Sequence, residues 1–210
     1  MRILRKYDFL NKISFNNKNF SLVVDKNFNL KEMKKKNYMI GHWQDIKYVE
    51  KNRFFLIESM CKNPILQKSF QSKIRDQNTS VHVRRSDYLK FNENLPIHYY
   101  EKSIEFVKYK DRKFNFKIYT DDSNWCKKQK IFLDAQEILN SSDSPEDTIN
   151  TFGSMLKSKN FIIANSTFSL MAAFFGKKND SIITYPNPWF KSRKYNKNIV
   201  DANWKMINFR

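Results

Sequence analysis

Glycine is nearly missing from this chain, with three in 210 residues. A G-x-G-x-x-G dinucleotide fingerprint or a G-x-x-x-x-G-K phosphate loop needs two or three glycines close together, and the sequence holds neither. This argues against a dinucleotide-dependent oxidoreductase and a P-loop NTPase. Any phosphate must be gripped by side chains and helix N-termini. Cysteine is equally scarce. Cys61 and Cys126 fall in no disulfide or metal spacing, and His42, His82 and His98 are too scattered for a zinc site. Free thiols and a reducing compartment are expected. No apolar run approaches the roughly 20 residues of a membrane span, and the N-terminal MRILRKYDF lacks the apolar stretch and cleavage site of a signal peptide. The expectation is a cytoplasmic protein, at most peripheral on the cytoplasmic membrane face.

Acidic residues are also in deficit, 21 against 39 Lys and Arg, for a net charge of +18. Such a field favours anions: nucleic acid, acidic headgroups or phosphorylated small molecules. Much of the excess is lysine mixed with asparagine, as at Lys34 to Asn37 and Lys177 to Asn179. An AT-rich coding sequence produces that composition by itself. Aromatic residues, by contrast, make up 16% of the chain, too many for a disordered polymer. The protein is expected to fold around a real core.

From residue 79 onward short β-rich runs alternate with amphipathic stretches: TSVHV (79–83), PIHYYEKSIEFVK (96–108), FKIYT (116–120), SNWCKKQKIF (123–132), AQEIL (135–139), PEDTINTFGSMLKS (145–158), FIIAN (161–165), TFSLMAAFF (167–175) and SIITYP (181–186). Near-continuous Val, Ile and Phe strands separated by helices signal a parallel sheet covered on both faces. The predicted class is α/β, a Rossmann-like parallel sheet with helices on both faces. Pro96 and Pro145 fit first-turn positions, Ser144 or Asp143 fits a cap, and Ile97, Tyr100, Ile104 and Val107 form a stripe that should face the sheet. Residues 1–78 lose the alternation. They hold a candidate strand SLVVD (21–25), a lysine-rich break at 31–37, YMIGHWQ (38–44) and helical stretches near 46–60 and 64–75. Two regions are therefore expected, 1–78 and 79–210.

In open parallel sheets ligands bind beyond the carboxyl ends of the strands. Arg84 and Arg85, in HVRRSDY (82–88), stand at that edge. An arginine there offers a planar fork that matches phosphate or carboxylate oxygens. If the strand continues through Arg85, His82 and Arg84 share one face and Val83 and Arg85 the other. One arginine can then address a ligand while its neighbour supports the scaffold, paired with Asp87. In ANSTFSLMAAFFG (164–176), Asn165, Ser166 and Thr167 join a strand to a helix whose free N–H groups favour an anion, although Ser166 or Thr167 could simply cap that helix. Asp121 and Asp122, in IYTDDSNW (118–125), suit a ribose or base contact, a cation, or a helix cap. Glu146 and Asp147 read as structural complements to a helix dipole.

These segments resemble family 11 glycosyltransferases, the α-1,2-fucosyltransferase family, taken together and in order. HVRRSDY resembles the family's H-x-R-R-x-D-Y, YMIGHWQDIKYV (38–49) its G-Y-W-Q segment, and LPIHYYEKSIEFV (95–107) its Y-Y-x-K-A-I helix. IYTDDSNW resembles the S/T-D-D-x-x-W turn, FIIANSTFSLMAAFFG (161–176) the I-I-A-N-S-T-F-S-W-W-A-A run, and ITYPNPWF (183–190) the closing P-x-x-W-F. The G-G-L-G-N-Q segment with which the family opens is not found ahead of G-H-W-Q. Ser86 stands where the family has glycine, and Leu170 and Met171 replace its two tryptophans.

The resemblance implies a GT-B architecture with a reduced N-terminal, acceptor-side half (1–78) and a GDP-sugar-binding half (79–210). It implies inverting, metal-independent transfer of fucose from GDP-fucose to a glycan or lipid-linked oligosaccharide. Arg84 would contact the β-phosphate and Arg85 support it. His82, Asp87, Asn165, Ser166 and Thr167 would lie around the nucleotide, with Asp121 towards the guanosine. Asp87, His82 and Glu93 are candidate bases by type. A GDP-sugar-binding remnant without transfer and a basic nucleic-acid-binding domain are the alternatives; no nucleic-acid signature is legible.

Overall fold

The computed structural model describes residues 22–24, 38–40, 45–72, 76–142, 144–192, 195 and 197–210. The chain divides into two compact units, Met1–Gln44 and Asp45–Arg210. In the first, strands β1 (Leu22–Val24) and β2 (Tyr38–Ile40) pair in parallel with Leu22 opposite Tyr38. The lysine-rich break at 31–37 and Asp143 lie outside the described residues.

The second unit begins with three helices, α1 (Ile46–Lys51), α2 (Arg53–Met60) and α3 (Pro64–Gln71). Strand β3 (Asp76–Val83) follows, then α4 (Ser86–Lys90), α5 (Ile97–Lys110), β4 (Phe116–Thr120), α6 (Ser123–Lys127) and β5 (Glu137–Asn140). The chain continues through α7 (Pro145–Leu156), β6 (Ser158–Ile162), α8 (Thr167–Gly176), β7 (Ile183–Asn187) and β8 (Lys205–Asn208). The six strands form one parallel sheet in the order β5-β4-β3-β6-β7-β8. This is the doubly wound arrangement expected from the alternating pattern. The strand order reverses between β3 and β6, and that reversal opens a crevice at their carboxyl ends.

Alternation along β6 and its extension sends side chains to both faces. Phe161 and Ile163 pack with Leu170 and Phe174 of α8 and with Ile46 and Leu66 of the leading helices. Ile162 and Ala164 join Val81, Val83 and Ile118 under Tyr99, Tyr100 and Val107 of α5. Burying one such side chain stabilises by about 1.5–3 kcal/mol. Helices α1–α3 contribute to the first of these cores and belong to the same compact unit as the sheet, which begins at Asp45.

Local chemistry fixes most element starts. Ser144 caps α7 by accepting from Asp147 N at 3.1 Å, Pro145 opens the helix, and Asp122 caps α6 by accepting from Trp125 N at 3.0 Å. Two details depart from the sequence expectation. Pro96 occupies the N-cap of α5 and not its first turn. The α5 stripe is also rotated: Tyr99 and Ser103 are buried with Tyr100 and Val107, while Ile97 and Ile104 sit half-buried at its margin. The Tyr99 hydroxyl holds the helix in that rotation by donating to Ile163 O at 2.5 Å.

Candidate functional site

Strand β3 ends at Val83, and Arg85, at φ −133° and ψ −51°, already serves as the N-cap of α4. The extended segment therefore stops two residues short of the expected Arg85, and the two guanidiniums separate. Arg84 turns to a cavity of about 310 Å³ at the reversal of strand order, also lined by His82, Asp87, Tyr88, Ser166 and Phe168. Its far wall is Ser141 and Ser142, past the end of β5, with Thr148 of α7.

The Arg84 guanidinium has two occupied sides. Its Nη1 meets Asp121 Oδ2 at 3.1 Å, while Nε and Nη2 both donate to Asp87 Oδ1, at 3.0 and 2.9 Å. Asp121 is nearly buried, with 8% of its side chain exposed, whereas Asp87 is half exposed at 50%. Arg85 goes the other way. It stacks 3.8 Å above the Trp125 ring centroid and its Nε donates to Asp122 Oδ2 at 3.1 Å. Desolvated cation–π contacts of this kind stabilise by about 2 kcal/mol. The supporting arginine thus pairs with Asp122, not Asp87 as the alternation suggested, because the turn into α4 carries Asp87 back beneath Arg84.

Asp121 does not line the cavity. Its Oδ1 accepts from Arg85 N at 2.8 Å and its Oδ2 from Ser86 N at 3.2 Å, so the ribose or base contact expected of it gives way to holding the 84–86 turn in place. Ser86, where glycine stood in the compared motif, contributes a further bond from its Oγ to Asp121 O at 3.2 Å.

On the β6 side, Ser166 occupies the N-cap of α8 in extended geometry, but its side chain makes no capping bond and lines the cavity instead. The plain capping reading therefore does not hold for Ser166. The first N–H groups of a helix have no intrahelical acceptor, which makes this end receptive to negative charge. Thr167 is exposed and does not line the cavity. Asn165 is buried behind it: its side-chain Nδ2 donates to Glu93 O at 2.9 Å, and its backbone carbonyl accepts from Tyr88 OH at 3.0 Å. Asn165 is therefore a brace between α4 and the end of β6.

The three candidate bases separate cleanly. Glu93 is buried, and its carboxylate accepts from Lys191 N at 2.6 Å, Ser192 N at 3.1 Å and Ser192 Oγ, tying down the loop after β7. His82 lies at the cavity wall, its ring 5.8 Å from Phe168. Burial and the adjacent Arg84 charge push its pKa down to about 3, so the imidazole is neutral. Its Nδ1 is buried without a hydrogen-bond partner among the described residues. Asp87 is left as the accessible carboxylate. Among the described residues no three His, Cys, Asp or Glu side chains are grouped to hold a metal ion, and no helix is long and apolar enough to cross a membrane.

The residues that sequence reasoning missed are Tyr88, Phe168, Ser141, Ser142 and Thr148 on the wall and Trp125 beneath Arg85. Position after a strand end could have found Ser141 and Ser142, since AQEIL was legible as a β-rich run ending just before them.

Fold and site together define a Rossmann-like domain with an arginine-bearing cavity at its switch point. The chain belongs to glycosyl transferase family 11, whose family model matches residues 2–208. It is 32% identical over 168 residues to an alpha-1,2-colitosyltransferase of Escherichia coli, an alignment covering 75% of this chain and 57% of that protein. It is also 32% identical over 130 residues to the O-antigen biosynthesis glycosyltransferase WbnK of Escherichia coli, covering 59% and 43%. The chain spans about half the length of the curated relatives it matches. No solved structure matches it significantly.

Proposed function

We propose that this chain carries the donor-binding half of a GT-B glycosyltransferase that moves fucose from GDP-fucose to a hydroxyl of a glycan or lipid-linked oligosaccharide, with inversion and without a divalent cation. The observation that carries the reading is Arg84, which lines a 310 Å³ cavity with Ser166 at the N-terminus of α8 and whose Nε and Nη2 donate to Asp87, a further residue of the same cavity. Cleaving the C1–O bond of a GDP-sugar leaves negative charge on the departing diphosphate. A guanidinium fork and a helix N-terminus, fixed in place beforehand, stabilise that charge as it develops; one such donor typically contributes about 3–4 kcal/mol to the barrier.

Within this reading Asp87 takes the acceptor's proton. It is the accessible carboxylate at the cavity, whereas Glu93 is consumed by the 191–192 loop, and a ring with a pKa near 3 is too weakly basic to hold that proton. Asp121 and Arg85 shape the turn without touching substrate. The sugar is the more specific part of the proposal, since one relative is a colitosyltransferase. The excess of positive charge would draw in the anionic donor and favour the acidic face of a membrane where lipid-linked glycans lie.

Incubation with GDP-fucose and O-antigen-type oligosaccharides, followed by mass spectrometry, tests the proposal. A fucosylated product supports it. GDP released without a glycosylated product would leave a donor-binding remnant, and absence of any reaction or binding with GDP-fucose defeats the reading. Binding to RNA or DNA that falls steeply with salt and survives Arg84→Ala would instead favour a nucleic-acid role.

A further inference from the structure

We infer that Asp87 acts as a stand-in for the donor diphosphate, occupying the phosphate edge of Arg84 while the cavity is empty and yielding it when the diphosphate arrives. The inference rests on the proposed donor site and assigns Asp87 a role there beyond proton transfer. A guanidinium receives a phosphate through two parallel N–H donors on one edge. Asp87 Oδ1 takes both donors of the Nε/Nη2 edge, at 3.0 and 2.9 Å, and both residues line the cavity. Asp121 is differently placed, held by Nη1 and by two backbone amides of the same turn and nearly buried.

One carboxylate therefore anchors Arg84 and the other covers it. The two arginines of the turn already face three carboxylates, Asp87, Asp121 and Asp122. An incoming diphosphate would add further negative charge to a turn that already holds one more carboxylate than guanidinium. The arrangement becomes favourable if the half-exposed Asp87 swings into water and gives up its two bonds. An ion pair with 30% of the Arg84 side chain and 50% of the Asp87 side chain open to solvent is weak enough to be exchanged in this way. Displacement would also release the carboxylate towards the acceptor only once the donor is seated.

The test is calorimetric titration of inorganic pyrophosphate and of GDP into the wild-type chain and the Asp87→Asn, Asp87→Ala and Asp122→Asn variants. Removal of a merely structural contact leaves affinity unchanged or lowers it, whereas removal of a competitor raises it. Both Asp87 variants should bind pyrophosphate and GDP about three- to tenfold more tightly than the wild type. Asp122→Asn, which removes the same charge from the same turn but not from the Arg84 edge, should gain less than about twofold.

Equal or weaker binding by the Asp87 variants, no binding of either probe by them, or an equal gain in Asp122→Asn would each overturn the inference. A gain for pyrophosphate with GDP binding no better than pyrophosphate would leave the stand-in role intact and remove the nucleotide reading.

Discussion

Exchanging Arg84 for lysine separates the gripping arginine from the supporting one. In Arg84 the Nε/Nη2 edge offers two donors to one partner while Nη1 stays on Asp121. A lysine ammonium keeps the charge but cannot present the fork and hold Asp121 together. Loss of one charge-assisted bond costs about 1.5–3 kcal/mol, which corresponds to GDP binding about 10- to 150-fold weaker. Folding should hardly change, because Asp121 keeps its two backbone donors and the half-exposed Asp87 returns to water. The expected stability loss is below about 1 kcal/mol.

Arg85→Lys should give the reverse pattern. Its side chain is only 13% exposed and its guanidinium stacks on Trp125, so the variant should lose about 1–2 kcal/mol of stability and keep most of its affinity for GDP. Calorimetry with GDP at low salt and thermal unfolding of both variants in one buffer measure the two axes. Equal affinity in Arg84→Lys and wild type, or a larger affinity loss in Arg85→Lys, would refute this division of labour.

The neutral His82 makes a pH prediction. Its folded pKa of about 3 lies below the ordinary value of 6.5, so the unfolded chain binds the extra proton first. Its contribution is fully present above pH 6.5 and is lost as pH falls towards 3, by up to about 1.4 kcal/mol per unit; denaturant melts of wild type and His82→Gln should diverge in that window, and parallel curves would refute the burial argument. Gly176 lies against α7: an added Cβ would sit 2.6 Å from Leu156 O and 3.0 Å from Leu156 Cα, so Gly176→Ala should cost about 1–3 kcal/mol and visibly lower the melting temperature. Burial pushes the Cys126 thiol up to about 11, so a thiol reagent at neutral pH should modify Cys61 and reach Cys126 only after denaturation. Rapid labelling of both in the native protein would contradict the core packing.

The alternating pattern made the central sheet legible because strands buried on both faces are written in Val, Ile and Phe. FKIYT matches β4 residue for residue. Strand β6 was harder: it covers Ser158–Ile162, three residues short of the FIIAN reading (161–165) at one end and three beyond it at the other. Lysine and asparagine at 159 and 160 look like loop, but Asn160 is satisfied within the fold, donating to Asp111 Oδ2 and accepting from Ile182 N. Edge strand β8 left almost no signal, since among Lys205–Asn208 only Ile207 is buried. At the site, position at a strand end was enough to mark Arg84, His82, Asp87 and Ser166. It could not distribute the aspartates, because whether Asp87 or Asp122 meets a given arginine depends on the turn into α4, a helix of five residues with no periodicity to read.

The central claim is that the diphosphate of a GDP-sugar lies on the Nε/Nη2 edge of Arg84 at the β3–β6 switch point. A crystal structure of the chain with GDP bound tests it most directly. The account predicts phosphate oxygens about 2.7–2.9 Å from Nε and Nη2, with Ser166 beside them and Asp87 swung away. GDP bound elsewhere, or an Arg84–Asp87 pair left intact beside a seated diphosphate, would contradict it.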